Sequence, residues 1–219
     1  ALLCANTFNL TDAAYITHLR GKFMQEAVPA GKGAMFAILK CPKNTIKKAC
    51  EVASTEEEQV SMANDNSLEQ VVISGHATAC QKAVDWLQAN VQERFRAIPL
   101  QVSAPFHSKL MKPAEDKLQP YLKQLSLQTN QCDYISNVDA ALNLKQSSPG
   151  IIQEKLLQQI CGTVLWVDSL KHLRPEDVII EVGPGSVLTG LAKKTITGAN
   201  PIYLDQENSL EQLRALINP

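Results

Sequence analysis

Aromatic residues are scarce in this sequence, and neither sign of charge dominates. Phe, Trp and Tyr together make up 5% of the 219 residues, and the formal net charge at pH 7 is -1. Few aromatic residues disfavour a module that stacks on nucleic-acid bases. Balanced charge argues against a basic nucleic-acid surface or a polybasic membrane anchor. No apolar run approaches the roughly 18 residues that cross a bilayer. We therefore expect neither nucleic acid nor a membrane as a partner.

Cysteine spacing gives no sign of a metal site or a disulfide framework. No C-x-x-C occurs, and no Cys and His pair has the spacing of zinc ligands. The sequence also contains no signal-peptide pattern, so we expect reduced thiols and a cytoplasmic location. Residues 1–5 form an apolar, helix-like stretch without an initial Met, which predicts an internal or processed start. The six cysteines are Cys4, Cys41, Cys50, Cys80, Cys132 and Cys161.

The order of predicted elements divides the chain into three segments. Residues 34–101 predict strand, helix, strand, strand, helix, strand, which is the βαββαβ order of a ferredoxin-like subdomain. Strands alternate with helices in the flanking segments, 1–33 and 102–219, which favours one larger α/β core around a parallel sheet. The apolar run 178–182 predicts a buried parallel strand within that core.

His107 is the strongest candidate for a catalytic base. It ends an apolar, proline-containing segment just where a helix over about 107–126 is predicted to begin. A rigidly held His facing a cleft can activate a Ser or Cys nucleophile. The alternative is a partly buried His with a structural role.

Arg20 is a candidate for binding a carboxylate. It precedes Gly21 inside a predicted helix, where a glycine costs about 1 kcal/mol. One interpretation is that Gly21 permits close packing against another element and leaves Arg20 in a cleft, where a guanidinium binds a carboxylate with two hydrogen bonds. The alternative, a surface Arg, is the better interpretation of these residues alone. The glycine-rich turn 183–186 predicts either a phosphate site at a helix start or, more simply, a tight turn.

A nucleophile is missing from the pattern. No Ser or Cys has glycines two positions away on both sides, as in the G-x-S-x-G turn of α/β hydrolases. The residues alone thus indicate a base and a carboxylate clamp without the group that the base would activate.

Several stretches follow one another in a recognisable order: 20–29, 31–39, 70–76, 105–108 with 110–114, 136–139, and 181–185 with 187–191. Together they resemble the acyltransferase family of fatty-acid and polyketide synthesis, which includes the malonyl-CoA:acyl-carrier-protein transacylases. The resemblance implies an α/β-hydrolase-like core with an inserted ferredoxin-like subdomain. Its nucleophile is a Ser in a G-H-S-x-G turn, so we expect this chain to lack the family's first third, with that Ser and an oxyanion-hole Gln.

The resemblance also assigns roles to residues of this chain. His107 would be the general base, oriented by a backbone carbonyl near Leu165, and Arg20 would clamp the malonyl carboxylate. Further roles fall on four residues around the acyl pocket. Met24 would line the pocket, Asn66 and Gln70 would border it, and Phe106 would crowd a 2-methyl branch and so favour malonyl. Between Asn66 and Gln70 this chain has Leu and Glu where relatives carry Pro and Gly.

The implied function is transfer of a malonyl group from malonyl-CoA to the phosphopantetheine thiol of acyl carrier protein. A Ser-linked acyl-enzyme would form first and then pass its group to the thiol, with no cofactor. Three alternatives stay open: a trans-acting polyketide-synthase acyltransferase, a non-catalytic fragment that binds carrier protein, and a thioesterase or lipase, which would not need Arg20.

Overall fold

A computed structural model describes residues 1–205 and 208–217 of the chain. They form a mixed α/β structure in two compact units, residues 1–166 and 167–219. The helices are α1 (Leu10–Glu26), α2 (Lys43–Ala53), α3 (Ala77–Asn90), α4 (Lys112–Gln124), α5 (Pro149–Cys161), α6 (Trp166–Leu170), α7 (Val187–Thr195) and α8 (Ser209–Ile217). The strands are β1 (Gly33–Leu39), β2 (Val60–Ser67), β3 (Gln70–His76), β4 (Arg96–Pro99), β5 (Tyr134–Ile135), β6 (Leu142–Asn143), β7 (Ile180–Glu181) and β8 (Ile202–Tyr203).

The first unit contains a four-stranded antiparallel sheet with the strand order β2-β3-β1-β4. The six elements predicted for 34–101 are all present between β1 and β4, in the predicted order. The helices α2 and α3 bury side chains three and four residues apart, such as Ile46, Ala49 and Cys50, on one face of the sheet. This spacing places them on one side of a helix, which is why the sequence pattern identified these elements.

The other face of the sheet carries a second set of apolar side chains. Met35, Ala37 and Val72 are buried there, and Phe106 packs against them. Phe106 also packs against the helical core of the first unit, which is built on α1, α4 and α5. The residue before His107 is therefore fixed by two apolar clusters at once.

Two local expectations for the first unit differ from the structure. Residues 1–5 form turns and not a helix. The helix predicted over 107–126 begins later, with a 3₁₀ turn at Lys109–Met111 followed by α4. Pro113 lies in the first turn of α4, a position where proline's fixed φ and missing N–H favour a helix start.

The second unit contains a parallel pair of two-residue strands, β7 and β8. The prediction of a buried strand over 178–182 is wrong, because Val178 is 54% exposed and Val182 is 79% exposed. Both valines lie outside the two-residue strand β7, which among the described residues of this unit pairs only with β8.

Glycine 75 gives a test of the sheet packing. A methyl group on Gly75 of β3 would lie 2.1 Å from the carbonyl oxygen of Gln59 and 2.7 Å from Cα of Val60. Both are backbone atoms, which can shift only if the strand itself is distorted, so we expect Gly75→Ala to lower the free energy of unfolding by about 1–3 kcal/mol. Chemical denaturation monitored by circular dichroism measures this change in the free energy of unfolding.

Gly21 provides the matched control. A methyl group there meets nothing within 4 Å, and alanine favours a helix more than glycine does, so Gly21→Ala should raise the free energy of unfolding by up to about 1 kcal/mol. Equal effects of the two substitutions would contradict this description of the packing.

Candidate active site

His107 has a left-handed backbone, with φ of 55°. A residue other than glycine in this region costs about 1–3 kcal/mol and is retained mainly where the surrounding structure enforces it. Here the enforcing contacts are local: Phe106 N donates to the Ala104 carbonyl at 2.9 Å, and the buried Ser108 hydroxyl donates to the Pro105 carbonyl at 2.6 Å.

The end of α5 holds the imidazole ring. Nδ1 of His107 lies 3.0 Å from the carbonyl oxygen of Gln159 and 3.2 Å from that of Gly162. Both neighbours are acceptors, so we assign the proton of the neutral ring to Nδ1. This leaves the lone pair on Nε2, where a general base needs it.

The orienting role predicted for a backbone carbonyl near Leu165 stays a prediction. The carbonyls beside Nδ1 are those of Gln159 and Gly162. They are available because the last carbonyls of a helix have no N–H partner within the helix. The end of α5 at Gly162 was visible in the sequence and could have pointed to them, whereas the assignment to Leu165 came only from the resemblance.

The surroundings of His107 keep its ring neutral. Burial lowers the pKa of His107 from 6.5, the carbonyl of Gln159 opposes the shift by favouring a protonated ring, and the charge of Arg20 lowers the pKa further. The net direction is downward, so at pH 7 the imidazole is uncharged and able to accept a proton.

Arg20 lies on α1 at the edge of its buried face. Ile16 and Phe23 of the same helix are buried, and helical spacing places Arg20 beside them, half-buried. Burial lowers the pKa of Arg20, and in the described part of the chain no carboxylate forms an ion pair with it. The expected close packing at Gly21 is absent, since nothing lies within 4 Å of a methyl group built there. The position of Arg20 thus comes from the apolar face of α1 and not from the glycine.

A cavity of about 430 Å³ adjoins Arg20. Arg20 and Gln159 both line it, so the residue that holds His107 also forms a wall beside the guanidinium. Tyr134 lines it as well, with a buried hydroxyl that has no hydrogen-bond partner in the described structure. The unpaired guanidinium favours a ligand with an anionic group.

A larger cavity, of about 640 Å³, is lined by neither Arg20 nor His107. Its walls come from α2, β2, β3 and the turns at Ser108 and Thr163. We place the candidate site at the smaller cavity, because Arg20 lines it together with Gln159, whose carbonyl oxygen contacts His107.

The four predicted pocket residues lie elsewhere in the fold. Met24 is 3% exposed and belongs to the helical core. Asn66 is half-buried in β2, at an irregularity between Asp65 and Ser67, and Gln70 begins β3. Phe106 joins the two apolar clusters described above. None of the four lines the 430 Å³ cavity, and their roles toward a substrate stay predictions.

The glycine-rich turn of the second unit is held by carboxylates of the protein. Glu181 accepts hydrogen bonds from the backbone N–H groups of Leu188 at 3.0 Å and Thr189 at 2.7 Å. Asp205 accepts from Gly185 N at 2.6 Å. Donors at the start of α7 are therefore occupied, which confirms the tight turn as the better interpretation of this motif.

Other functional signals are few among residues 1–205 and 208–217. In that part, no group of His, Cys, Asp and Glu side chains is arranged to hold a metal ion. No helix described there is long and apolar enough to span a bilayer. The six cysteines are free thiols.

Comparison with known proteins gives one consistent result. Residues 1–207 match the family model described as the acyl transferase domain. The malonyl CoA-acyl carrier protein transacylase of Escherichia coli K12 is 39% identical over 96% of this chain and 67% of the relative. The enzyme of the same name from Bacillus subtilis is 39% identical over 96% of this chain and 66% of the relative. The chain thus spans about two thirds of the length of these relatives.

Solved structures give the same picture. An acyl carrier protein S-malonyltransferase from Vibrio cholerae superposes with a TM-score of 0.89 and is 36% identical, covering 97% of this chain and 68% of that one. A malonyl-transacylase solved with its type II polyketide-synthase acyl-carrier protein has a TM-score of 0.88 and 36% identity, covering 100% of this chain and 69% of that one.

Titration of His107 tests the electrostatics of the site. Its pKa, followed by NMR of the imidazole, should lie below 6.5, and Arg20→Gln should raise it because the guanidinium charge is removed. The unfolded chain then binds a proton more readily than the folded one, so stability should fall as pH decreases from 6.5 toward the folded-state pKa. His107→Gln should flatten that part of the stability profile, and a His107 pKa above 6.5 would contradict the account.

Proposed function

Because the chain belongs to the acyl transferase domain family, we propose that it acts in transferring a malonyl group from malonyl-CoA to acyl carrier protein. The observation that carries the proposal is the neutral base His107 beside the unpaired guanidinium of Arg20. Gln159 connects them, because its carbonyl contacts His107 and the residue lines the cavity with Arg20. Transfer of a malonyl group needs both residues: a base to activate the nucleophile that attacks the thioester carbon, and a cation to bind the free carboxylate.

The reaction proceeds in two half-reactions. Nε2 of His107 takes the proton of a serine hydroxyl as the serine attacks the thioester carbonyl, and the proton then goes to the departing CoA thiolate. The malonyl group is left on the serine. In the second half-reaction His107 takes the proton of the phosphopantetheine thiol, whose sulfur attacks the acyl-serine. The ester bond to the serine breaks, and His107 returns the proton to the departing serine oxygen. No serine of these 219 residues lies in a G-x-S-x-G turn, so the proposal assigns the base and the clamp to this chain, and not the nucleophile.

Arg20 supplies selectivity for the substrate. A guanidinium binds the free carboxylate of malonate with two parallel hydrogen bonds. With acetyl-CoA the half-buried charge would remain unpaired after the acyl group closes the cavity, which costs binding free energy in the transition state. Among the described residues no carboxylate pairs with Arg20, so only the substrate can supply one. We therefore expect malonyl-CoA to react in preference to acetyl-CoA.

The finer description of the fold is part of the proposal. The strand order β2-β3-β1-β4, with α2 and α3 on one face, supports a ferredoxin-like subdomain over 34–101. The segments 1–33 and 102–219 would then belong to an α/β-hydrolase-like core. Around the acyl group we assign Met24 and Phe106 to the pocket wall, with Asn66 and Gln70 at its border.

The partners follow from the names of the relatives and from the chemistry. Malonyl-CoA is the donor and acyl carrier protein the acceptor, and acyl transfer through a serine requires no metal or redox cofactor. One relative acts with a polyketide-synthase carrier protein, so fatty-acid and polyketide carriers are both acceptors to compare. The six free thiols support a cytoplasmic location.

Substitution of Arg20 tests the clamp. In the full natural protein, Arg20→Ala should lower kcat/KM for malonyl-CoA by on the order of a hundredfold or more, since a desolvated charge pair is lost. Activity with acetyl-CoA should rise relative to malonyl-CoA. Initial rates of loading holo-acyl carrier protein, measured with both donors, give the two values.

Two control variants sharpen this experiment. Arg20→Lys keeps the charge but loses the paired donors, so it should fall between Arg20→Ala and the natural protein. Lys22→Ala, on an exposed position of the same helix, should leave both rates unchanged. Unaltered malonyl kinetics in Arg20→Ala would refute the clamp.

A further inference from the structure

An irregularity in β2 has a specific use in this structure. The pairing of β2 with β3 shifts register between Met62 and Asn64, so that Ala63 is an extra residue in the strand. In a regular strand, successive carbonyls point to opposite sides. Here the carbonyls of Met62 and Ala63 both accept hydrogen bonds from the same neighbouring segment, which is possible because the bulge turns one of them around.

The neighbouring segment is the one that follows α5. The hydroxyl of Thr163 donates to the Met62 carbonyl at 2.6 Å, and Val164 N donates to the Ala63 carbonyl at 2.8 Å. Asp65 N in turn donates to the Val164 carbonyl at 2.9 Å. β2 is an edge strand of the sheet, and residues 163–165 run along its free edge as a short parallel neighbour. We call this set of hydrogen bonds the edge clip.

The edge clip lies directly beside the groups that hold His107. Gly162, which precedes Thr163, and Gln159, one turn earlier, provide the two carbonyls at Nδ1. On the other side of the clip, Leu165 N donates to the Asn137 carbonyl at 2.9 Å. The end of α5 is thus held between the sheet and His107. Gly162, whose carbonyl contacts Nδ1, is directly followed in the chain by Thr163 of the edge clip.

We propose that Thr163 is a positioning residue for malonyl transfer: its hydrogen bond to Met62 fixes the end of α5 and thereby the orientation of His107. This inference rests on the proposed function. Thr163 provides the one side-chain bond of the clip, whereas the other bonds come from the backbone and would form with many residues at these positions. Without the hydroxyl, the end of α5 can move relative to the sheet, and the carbonyls at Nδ1 move with it.

Removal of the hydroxyl tests the proposal. Thr163→Val keeps the branched shape and loses the donor, while Thr163→Ser keeps the donor and loses the methyl group. Two quantities are measured in the full natural protein: the solvent exchange rate of the Nδ1 proton of His107 by NMR, and kcat and KM for malonyl transfer as functions of pH. The charged group that acts on the His107 ring is Arg20, and it is unchanged in both variants.

The two variants have different expected results. Thr163→Val should exchange the Nδ1 proton about three- to tenfold faster and lose a similar factor in kcat, as expected for one hydrogen bond of ordinary strength. KM should change little, and the pH profile of kcat should shift because the carbonyls that affect the His107 pKa have moved. Thr163→Ser should return exchange rate, kcat and pH profile to the natural values. A variant that is merely less stable would not shift the pH profile.

Three results would overturn the proposal. One is a Thr163→Val variant whose Nδ1 proton exchange rate, kcat and pH profile equal those of the natural protein. Another is a loss in Thr163→Ser equal to that in Thr163→Val, which would assign the effect to the methyl group. The third applies if circular dichroism shows that Thr163→Val does not fold. Thr163→Ala then replaces it, and an exchange rate and kcat in Thr163→Ala equal to those in Thr163→Ser would overturn the role of the hydroxyl.

The exchange measurement needs no substrate. It therefore decides whether Thr163 positions His107 even if the natural protein transfers no malonyl group, a result that would reject the proposed function separately.

Discussion

Helix α5 ends in carbonyl groups that no N–H of the helix can reach, and His107 takes two of them. The hydrogen bonds from Nδ1 to Gln159 and Gly162, 3.0 and 3.2 Å long, fix which nitrogen carries the proton and where the other one points. In many hydrolases a carboxylate has this task. Backbone carbonyls orient the ring without adding a negative charge, so they raise the pKa of His107 less than a carboxylate would.

The second constraint is the burial of a guanidinium and a neutral imidazole near each other. Arg20 and His107 are both half-buried, and burial lowers the pKa of each. The guanidinium remains charged because its ordinary pKa is far above 7, and its field helps to keep the imidazole neutral. One arrangement thus serves both the base, which has to be unprotonated, and the clamp, which has to remain without a protein partner.

Much of this architecture was predictable, because the spacing of apolar residues in the sequence follows the period of the helix or strand that buries them. The strands and helices between β1 and β4 followed from side chains spaced two or three to four residues apart, and His107 and Arg20 were both identified as candidates. The failures have physical causes. A backbone carbonyl is present in every residue type, so the residue types alone did not single out Gln159 and Gly162 as partners of His107. An apolar run such as 178–182 predicts a strand but cannot show which neighbours cover it. The bulge at Ala63 depends on a partner segment a hundred residues away, and local pattern does not record it.

The central claim is that His107 and Arg20 serve acyl transfer from malonyl-CoA to a carrier protein. Intact-protein mass spectrometry tests it most directly in the full natural protein, mixed first with malonyl-CoA and then with holo-acyl carrier protein. The account predicts a gain of one malonyl group, followed by its loss as the carrier protein gains the same mass. Release of free malonate without loading of the carrier, or no gain at all, would contradict it.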